Sequence, residues 1–206
     1  TPVIDGLAKN GQLYTKASSV APQCSPARST FITGCMATSY GMDYHRKAIA
    51  TPDHIFFPEY LKEAGYFMVD NKKSHWNSTS RTLNKMWDVK SENATYNSDS
   101  GPNGQPFFAI FNFTDSHMSR FRSITLEGRR DLTAKGIDPQ KIFLPPHLPD
   151  LTEVRSDLAL MLDRSLEADV WVDAFLNDLI DRGLDEDTII FIFGDHGGSM
   201  PRVKGF

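Results

Sequence analysis

The sequence predicts an α/β domain with a mostly parallel central sheet packed between helices. Three apolar runs, at residues 66–69, 107–111 and 189–193, have the continuous hydrophobicity of strands that are covered on both faces. Each run is followed directly by a polar cluster. Because ligands bind beyond the carboxyl ends of the strands in open α/β sheets, we expect these clusters to meet at one edge of the sheet and form a site.

The helices that cover the sheet are predicted from apolar spacing and from the glycines that end them. Pro26 suits the first turn of a helix, so Cys24 should lie at, or just before, the start of a helix that closes at Gly34. Stretches of loop composition lie at residues 88–105 and 120–150. The other predicted helices span residues 2–10, 57–64 and 153–182.

Composition excludes several classes of function. The chain has 206 residues, of which 40% are hydrophobic and 23% charged, so it is long enough to bury a core. Its net charge is −4 and it contains no long basic run, which argues against a nucleic-acid groove or a polybasic membrane patch. No apolar stretch approaches the roughly 18 residues of a membrane span. An anionic substrate would therefore be bound by a local cluster of cations.

The stretch "CSPAR" combines a thiol with a guanidinium at a helix start. Free N–H groups and the helix dipole favour an anion beside Cys24, and Arg28 offers a planar fork for oxyanion oxygens one turn later. A tyrosine phosphatase loop needs five residues between its cysteine and arginine, whereas three separate them here, so that interpretation fails. The only other cysteine is Cys35, and the sequence leaves open whether the two pair.

The longer run "CSPARSTFITG" resembles the signature of the type I sulfatases, which belong to the alkaline-phosphatase-like superfamily. The stretches "PFFAIFNFTDSH" and "GDHGGSMPR" are most similar to bacterial relatives of heparan N-sulfatase (sulfamidase). The resemblance implies an alkaline-phosphatase-like fold and conversion of Cys24 to 3-oxoalanine (formylglycine). A formylglycine-generating or anaerobic sulfatase-maturating enzyme would be the partner for this conversion, and a sulfated sugar would be the substrate.

The resemblance also assigns roles to residues after the predicted strands. "NKKSH" matches the K-x-H element, usually G-K-W-H, so Lys73 would hold a sulfate oxygen and His75 would assist deprotonation of the nucleophile. His117, in "TDSH", matches a histidine near the leaving group and would act as general acid. Lys204 stands where relatives place a cation that reaches the sulfate.

A metal element is implied at "DHG". Asp195 and His196 match two ligands of a calcium ion, with the modified Cys24 as a further ligand. Calcium prefers six to eight oxygen ligands, and His196 stands where the family often has asparagine, so another divalent ion stays open. The Asp-Asp pair that opens the family's first strand, and the family's C-terminal region, have no counterpart in this sequence.

We therefore interpret residues 1–206 as part of a sulfatase catalytic domain, incomplete at both ends and inactive or nearly so on its own. By analogy with enzymes of polymeric substrates, we expect a periplasmic or secreted protein. Two alternatives are a phosphonate or phosphate-ester hydrolase of the same superfamily and a non-catalytic module that binds sulfated glycans. His45, in "GMDYHRK", is a further candidate for substrate specificity.

Overall fold

The computed structural model describes residues 1–96, 104–122, 124, 128, 136–198 and 200. These residues fall into two compact units. One contains Thr1–Ala17 and the described residues of Phe113–Phe193, and the other contains the described residues of Ser18–Asn112 together with Gly194–Gly197. The unit that contains Thr1–Ala17 is helical, and the unit that contains Ser18–Asn112 is α/β.

The second unit is built on a parallel sheet. Strands β1 (Phe67–Asn71), β2 (Val89–Ser91) and β3 (Phe107–Ile110) lie in the order β2-β1-β3. Val69 of β1 is in register with Val89 on one side and Ala109 on the other. The central strand β1 is buried along its whole length. The α/β class is thereby confirmed, as is the parallel direction of the two predicted strands at residues 66–69 and 107–111.

Helices pack beside this sheet and close its core. Helix α2 (Cys24–Thr33) ends at Gly34, whose φ of 65° is a left-handed conformation that glycine adopts without steric cost. Helices α3 (Phe57–Glu63) and α4 (Thr82–Lys85) and a 3₁₀ turn at Ala37–Tyr40 complete the described secondary structure of this unit. The buried apolar core is formed by Ile32, Phe56, Met68, Trp76, Leu83, Met86 and Trp87.

The first unit is helical. Helix α1 (Pro2–Asn10) contacts the long helix α6 (Thr152–Asp181), and α5 (Ser119–Arg122) and a 3₁₀ turn at Pro139–Lys141 lie between them in sequence. Helix α6 buries Leu158, Val172 and Leu179 along one side. Among the described residues, no helix combines the length and the apolar character that crossing a bilayer requires.

The structure overturns two predictions about strands. Residues 189–193 form no strand, and the side chains of Ile189 and Phe191 are 81% and 78% exposed. Continuous apolarity predicted a buried strand there, but a strand also needs a partner, and none pairs with this run in the described part of the chain. Conversely, β2 lies in the predicted loop at 88–105, because pairing with β1 orders three mostly exposed residues that carry no apolar run.

Candidate active site

The site is built around the first turn of α2. Cys24 is the first residue of the helix and follows Gln23, whose extended backbone (φ −143°, ψ 147°) forms the N-cap. Cys24 is 2% exposed. It lies at the N-terminus of the helix, where the helix dipole contributes a partial positive charge. Cys24 and Cys35 are both free cysteines, so the structure contains no disulfide between them.

Two cationic or ionisable side chains contact the thiol of Cys24. The Nε2 atom of His196 lies 3.1 Å from its Sγ, and the Nζ atom of Lys73 lies 3.5 Å from it. These residues are 172 and 49 positions away in the sequence. The contacts therefore bring the ends of two distant segments onto the helix start, as the polar clusters predicted.

Asp195 balances the cations at this point. Its Oδ2 atom lies 3.5 Å from Nζ of Lys73 and 4.0 Å from the guanidinium of Arg28, while its Oδ1 atom lies 3.3 Å from Nε2 of His196. A carboxylate shared by two cations in a partly buried site reduces their mutual repulsion. Asp195 therefore allows Arg28 and Lys73 to lie on the same side of Cys24.

Arg28 is held by stacking as well as by charge. Its side chain is buried, and its guanidinium carbon lies 4.8 Å from the centre of the Trp76 ring. It also donates a hydrogen bond to the backbone carbonyl of Lys73. Burial lowers the pKa of Arg28, and the charges of Asp195, Asp70 and Cys24 oppose that effect. Because an arginine pKa starts so high, the group stays a cation.

A tight turn after β1 presents Lys73. Lys72 has a φ of 63°, in the left-handed region, and the backbone N–H of Lys73 donates to the carbonyl of Asn71 at 2.9 Å. Lys72 points its exposed side chain to solvent, whereas Lys73 is half-buried. The turn thus reverses the chain so that only the second of two adjacent lysines reaches the cysteine.

His75 follows in the same loop. Partial burial lowers its pKa, the positive charges of Lys73, Arg46 and Arg28 lower it further, in that order, and the nearby His45 adds the smallest effect. An imidazole whose pKa lies below its usual value near 6.5 is neutral at pH 7, so it is able to accept a proton.

Asp70, near the end of β1, is a buried carboxylate on the side of Lys90. It is 1% exposed, accepts a hydrogen bond from the hydroxyl of Ser74 at 2.8 Å, and lies 3.9 Å from Nζ of Lys90. Burial raises the pKa of Asp70, while the contacts with Ser74, Lys90 and Arg28 oppose the rise. Asp70 is therefore the second carboxylate, after Asp195, whose charge acts on the buried Arg28.

The residues around Cys24 also fit a divalent metal. One atom each from Cys24, Asp195 and His196 lies within 4.8 Å of the other two, and this is the metal-ligand group found in the described residues. The set offers one sulfur, one carboxylate oxygen and one imidazole nitrogen. This mixture suits several divalent ions, and it is poorer in oxygen than a calcium site.

The predicted residues are thus distributed in three ways. Cys24, Arg28, Lys73, Asp195 and His196 lie together, and His75 lies within electrostatic range of Arg28 and Lys73. His117 belongs to the other compact unit, where its Nδ1 lies 2.9 Å from the hydroxyl of Ser119. Lys204 lies outside the described residues.

Sequence reasoning missed the residues that hold this cluster in place. Trp76 stacks on Arg28, and its position directly after the K-x-H element was a usable signal. Ser25, next to Cys24, is 1% exposed and accepts a hydrogen bond from the backbone N–H of Arg46 at 2.6 Å. A serine in the first turn of a helix carries no signal for such a long-range contact.

Comparisons with known proteins identify the family of this chain. The family model described as Sulfatase matches residues 1–205. An ulvan-active sulfatase of Formosa agariphila is 29% identical over 99% of this chain and 41% of its own length, and a second one is 24% identical over 97% and 46%. The N-acetylgalactosamine-6-sulfatase of Canis lupus familiaris is 35% identical over 32% of this chain and 15% of its own length. The chain spans less than half the length of these relatives.

Proposed function

Because the chain belongs to the sulfatase family, we propose that the protein carrying it hydrolyses sulfate esters on a sulfated glycan, with Cys24 as the source of the nucleophile. One observation supports this most directly. Three segments that are distant in sequence place Arg28, Lys73, Asp195 and His196 around the same buried thiol. A tetrahedral anion beside Cys24 would meet a guanidinium and an ammonium group.

The cations would act mainly by holding charge. A sulfate ester keeps negative charge on its oxygens throughout the reaction, so fixed cations and correct placement of the nucleophile provide most of the catalysis. Arg28 is fixed by Trp76 and the carbonyl of Lys73, and Lys73 is fixed by the turn at Lys72. Neither group would have to reorganise when the substrate binds.

We further propose that Cys24 is converted to formylglycine, whose hydrate would supply one hydroxyl to attack sulfur and a second to release sulfate. His75 is neutral at pH 7 because its pKa is lowered, so it would accept the proton of the attacking hydroxyl. His117 would protonate the leaving oxygen, and Lys204 would bind a sulfate oxygen. These two roles rest on the family resemblance of the segments that contain them.

A divalent metal would be held by Asp195, His196 and the modified Cys24, where it would polarise the sulfate oxygens. The donor atoms of this chain include one carboxylate and one imidazole. We propose calcium on the basis of the family, with another divalent ion as the alternative that the imidazole favours. The missing oxygen ligands would come from the Asp-Asp pair that this sequence lacks.

The substrate is proposed as a class. Two of the relatives are named as ulvan-active sulfatases and another as an N-acetylgalactosamine-6-sulfatase, so a sulfated polysaccharide or glycan is the favoured substrate. Attack on N-sulfated glucosamine, suggested by the heparan N-sulfatase resemblance, stays a prediction. A maturation enzyme would be the protein partner, and a periplasmic or secreted location follows from the polymeric substrate.

The test uses the full-length protein that carries this chain. Mass spectrometry of the peptide containing Cys24 should show loss of the thiol in favour of the aldehyde or its hydrate. The protein should hydrolyse 4-nitrophenyl sulfate, and Cys24→Ala should abolish turnover.

Two outcomes would overturn the proposal, and a third would contradict a separate interpretation of the chain. Faster turnover of 4-nitrophenyl phosphate than of the sulfate would indicate a phosphate or phosphonate hydrolase. An intact thiol, in a host with the maturation enzyme, together with glycan binding but no turnover would indicate a binding module. Family-like sulfatase activity of purified residues 1–206 would contradict our interpretation that they are part of a larger catalytic domain.

A further inference from the structure

A loop next to the site, residues 42–47, is anchored directly to the residue that follows Cys24. The backbone N–H of Arg46 donates to the hydroxyl of Ser25 at 2.6 Å, and Nδ1 of His45 lies 3.4 Å from the same oxygen. Ser25 is 1% exposed and sits in the first turn of α2. Positions 45 and 46 are therefore held one residue away from the proposed nucleophile.

A buried asparagine fixes the other end of this loop. The side-chain amide of Asn77 donates to the carbonyls of Met42, at 2.8 Å, and Tyr44. Its own backbone N–H donates to the hydroxyl of Ser29 at 3.0 Å. Arg46 has a φ of 55°, a conformation that costs a residue with a side chain free energy. The loop is thus held in one strained shape by contacts at both ends.

The side chains of this loop carry positive charge toward His75. The pKa of His75 is lowered by the charges of Arg46 and His45 in addition to those of Lys73 and Arg28. Arg28 and Lys73 already face the carboxylate of Asp195, at 4.0 and 3.5 Å. Within the part of the chain that the structure describes, no ion pair involves Arg46. The side chains of His45 and Arg46 are exposed.

From this arrangement we infer that His45 and Arg46 form a second anion-binding subsite, which recognises an acidic group carried by the substrate next to the sulfate ester that is cleaved. The inference rests on the proposed function and names a narrower substrate class, a glycan with two neighbouring anionic groups. A guanidinium binds a carboxylate or a sulfate through two parallel hydrogen bonds, so either group meets the chemical requirement.

His45 and Arg46 are not needed to hold the cleaved sulfate, because Arg28 and Lys73 already lie beside Cys24. The side chain of Arg46 is not needed to anchor the loop, because the anchoring contact of Arg46 with Ser25 is made by its backbone N–H. An exposed arginine in a strained, doubly anchored loop is therefore better explained by an anionic ligand than by packing.

The test compares matched ligands on the full-length protein. One is a disaccharide with one sulfate ester and one uronate, the second is the same disaccharide with the carboxylate reduced to an alcohol, and the third is a disulfated neutral disaccharide. Binding is measured by calorimetry in the Cys24→Ala background, where no turnover occurs, and turnover is measured separately with Cys24 intact. A failed proposed function would show as absent turnover, whereas the subsite is tested by binding.

The variants are chosen to preserve the loop. Arg46→Asn removes the charge but tolerates a positive φ, and His45→Gln keeps a hydrogen-bonding group near Ser25. We expect each to weaken binding of at least one doubly anionic disaccharide by about tenfold, equivalent to about 1.4 kcal/mol, and to change binding of the carboxyl-reduced one by less than about twofold. Arg46→Lys should restore part of the affinity. Loss for the uronate alone identifies a carboxylate subsite, and loss for the disulfated ligand alone identifies a sulfate subsite.

Lys47→Gln is the matched control, since it removes a neighbouring exposed cation whose Nζ lies 5.1 Å from the ring of Tyr44. It should leave binding of all three ligands unchanged. The inference is wrong if Arg46→Asn weakens all three ligands equally, if it weakens none, or if Lys47→Gln has the same effect.

Discussion

Lys72 occupies a backbone position that suits glycine. Its φ of 63° lies in the left-handed region, and it precedes the lysine that contacts Cys24. Sulfatases usually have glycine before the lysine of this element, so the structure supplies a physical reason for that preference. The chain instead holds a lysine there, with its N–H 3.4 Å from the carbonyl of Ser91.

We predict that Lys72→Gly stabilises the protein. Relief of the left-handed strain is worth about 1–2 kcal/mol, and the greater flexibility of glycine in the unfolded chain costs about 0.4–1 kcal/mol, so the net gain should be about 0.8 kcal/mol, within a range of about 0–1.6 kcal/mol. Urea denaturation measures the change. Lys72→Ala, which removes the same charge but keeps the strain, should give no such gain, and equal midpoints for the two variants would contradict the explanation.

His75 provides a prediction about pH. Partial burial and the neighbouring cations Lys73, Arg46 and Arg28 disfavour its protonated form, so its titration midpoint should lie below 6.5. Arg46→Asn removes one of these cations, so the midpoint should rise toward the usual value. NMR titration of the His75 ring, with Lys47→Gln as control, measures both. A midpoint above 6.5 in the unsubstituted protein would show that the cations lie too far away to matter.

Sequence predicted most of the residues around Cys24 but not how they are held. Arg28, Lys73, Asp195 and His196 were identified because they follow a cysteine motif or a strand, and the structure brings all four to the thiol or its neighbours. The stacking of Trp76 and the anchoring by Ser25 could not be predicted. Both depend on the path of a loop, and loop paths are set by contacts between distant residues.

At the scale of elements, the start of α1 is held by a carboxylate of α6. Asp169 of α6 accepts hydrogen bonds from the backbone N–H groups of Val3 and Ile4, at 3.1 and 2.8 Å, and is 3% exposed. None of the residues of α1 is buried. The carboxylate therefore caps the free N–H groups at the helix start and complements its dipole from a neighbouring helix.

We predict that Asp169→Ala detaches α1 from α6. The lost cap should cost about 1–2 kcal/mol, and because α1 buries so little surface the loss should appear mainly as local opening. Hydrogen exchange should become faster at Val3 and Ile4, and proteases should cleave within residues 1–17 more readily. Asp173→Ala, at an exposed position of the same helix, should change neither. Unchanged exchange in Asp169→Ala would contradict this account of the attachment.

Predictions of elements succeeded where local signals and packing agreed. Helix α2 closes at Gly34 as expected, and the predicted helix at 153–182 is α6, at Thr152–Asp181. The strand predicted at 189–193 was wrong, because apolar residues indicate only that a surface should be covered. They do not identify the covering segment, and the described chain provides no strand that pairs with it.

At the scale of the whole molecule, this apolar run is the most unusual surface. Phe191 and Phe193 are 78% and 60% exposed, and the three isoleucines of the run are also exposed. Contiguous apolar surface of this kind marks an interaction site or an aggregation hazard. We propose that a part of the full-length protein outside residues 1–206 covers it, consistent with relatives that are more than twice as long.

Phe191→Asp should therefore behave differently in two settings. In isolated residues 1–206 it should change the free energy of unfolding by less than about 0.5 kcal/mol and reduce self-association, because the side chain is exposed. In the full-length protein it should destabilise by about 3 kcal/mol or more, because a charge would be placed in a packed interface. Denaturation and light scattering measure these effects. A full-length protein that tolerates the substitution would argue that the run stays uncovered.

The stacking of Trp76 on Arg28 has an optical consequence. An indole ring that is 8% exposed and lies 4.8 Å from a guanidinium carbon senses any change in the charge around that group. An anion bound beside Arg28 would change the electric field at this ring and so shift the emission of this tryptophan. The protein thus contains an intrinsic fluorophore at the residue that we propose binds the anion, so occupancy should be measurable with unlabelled, colourless ligands.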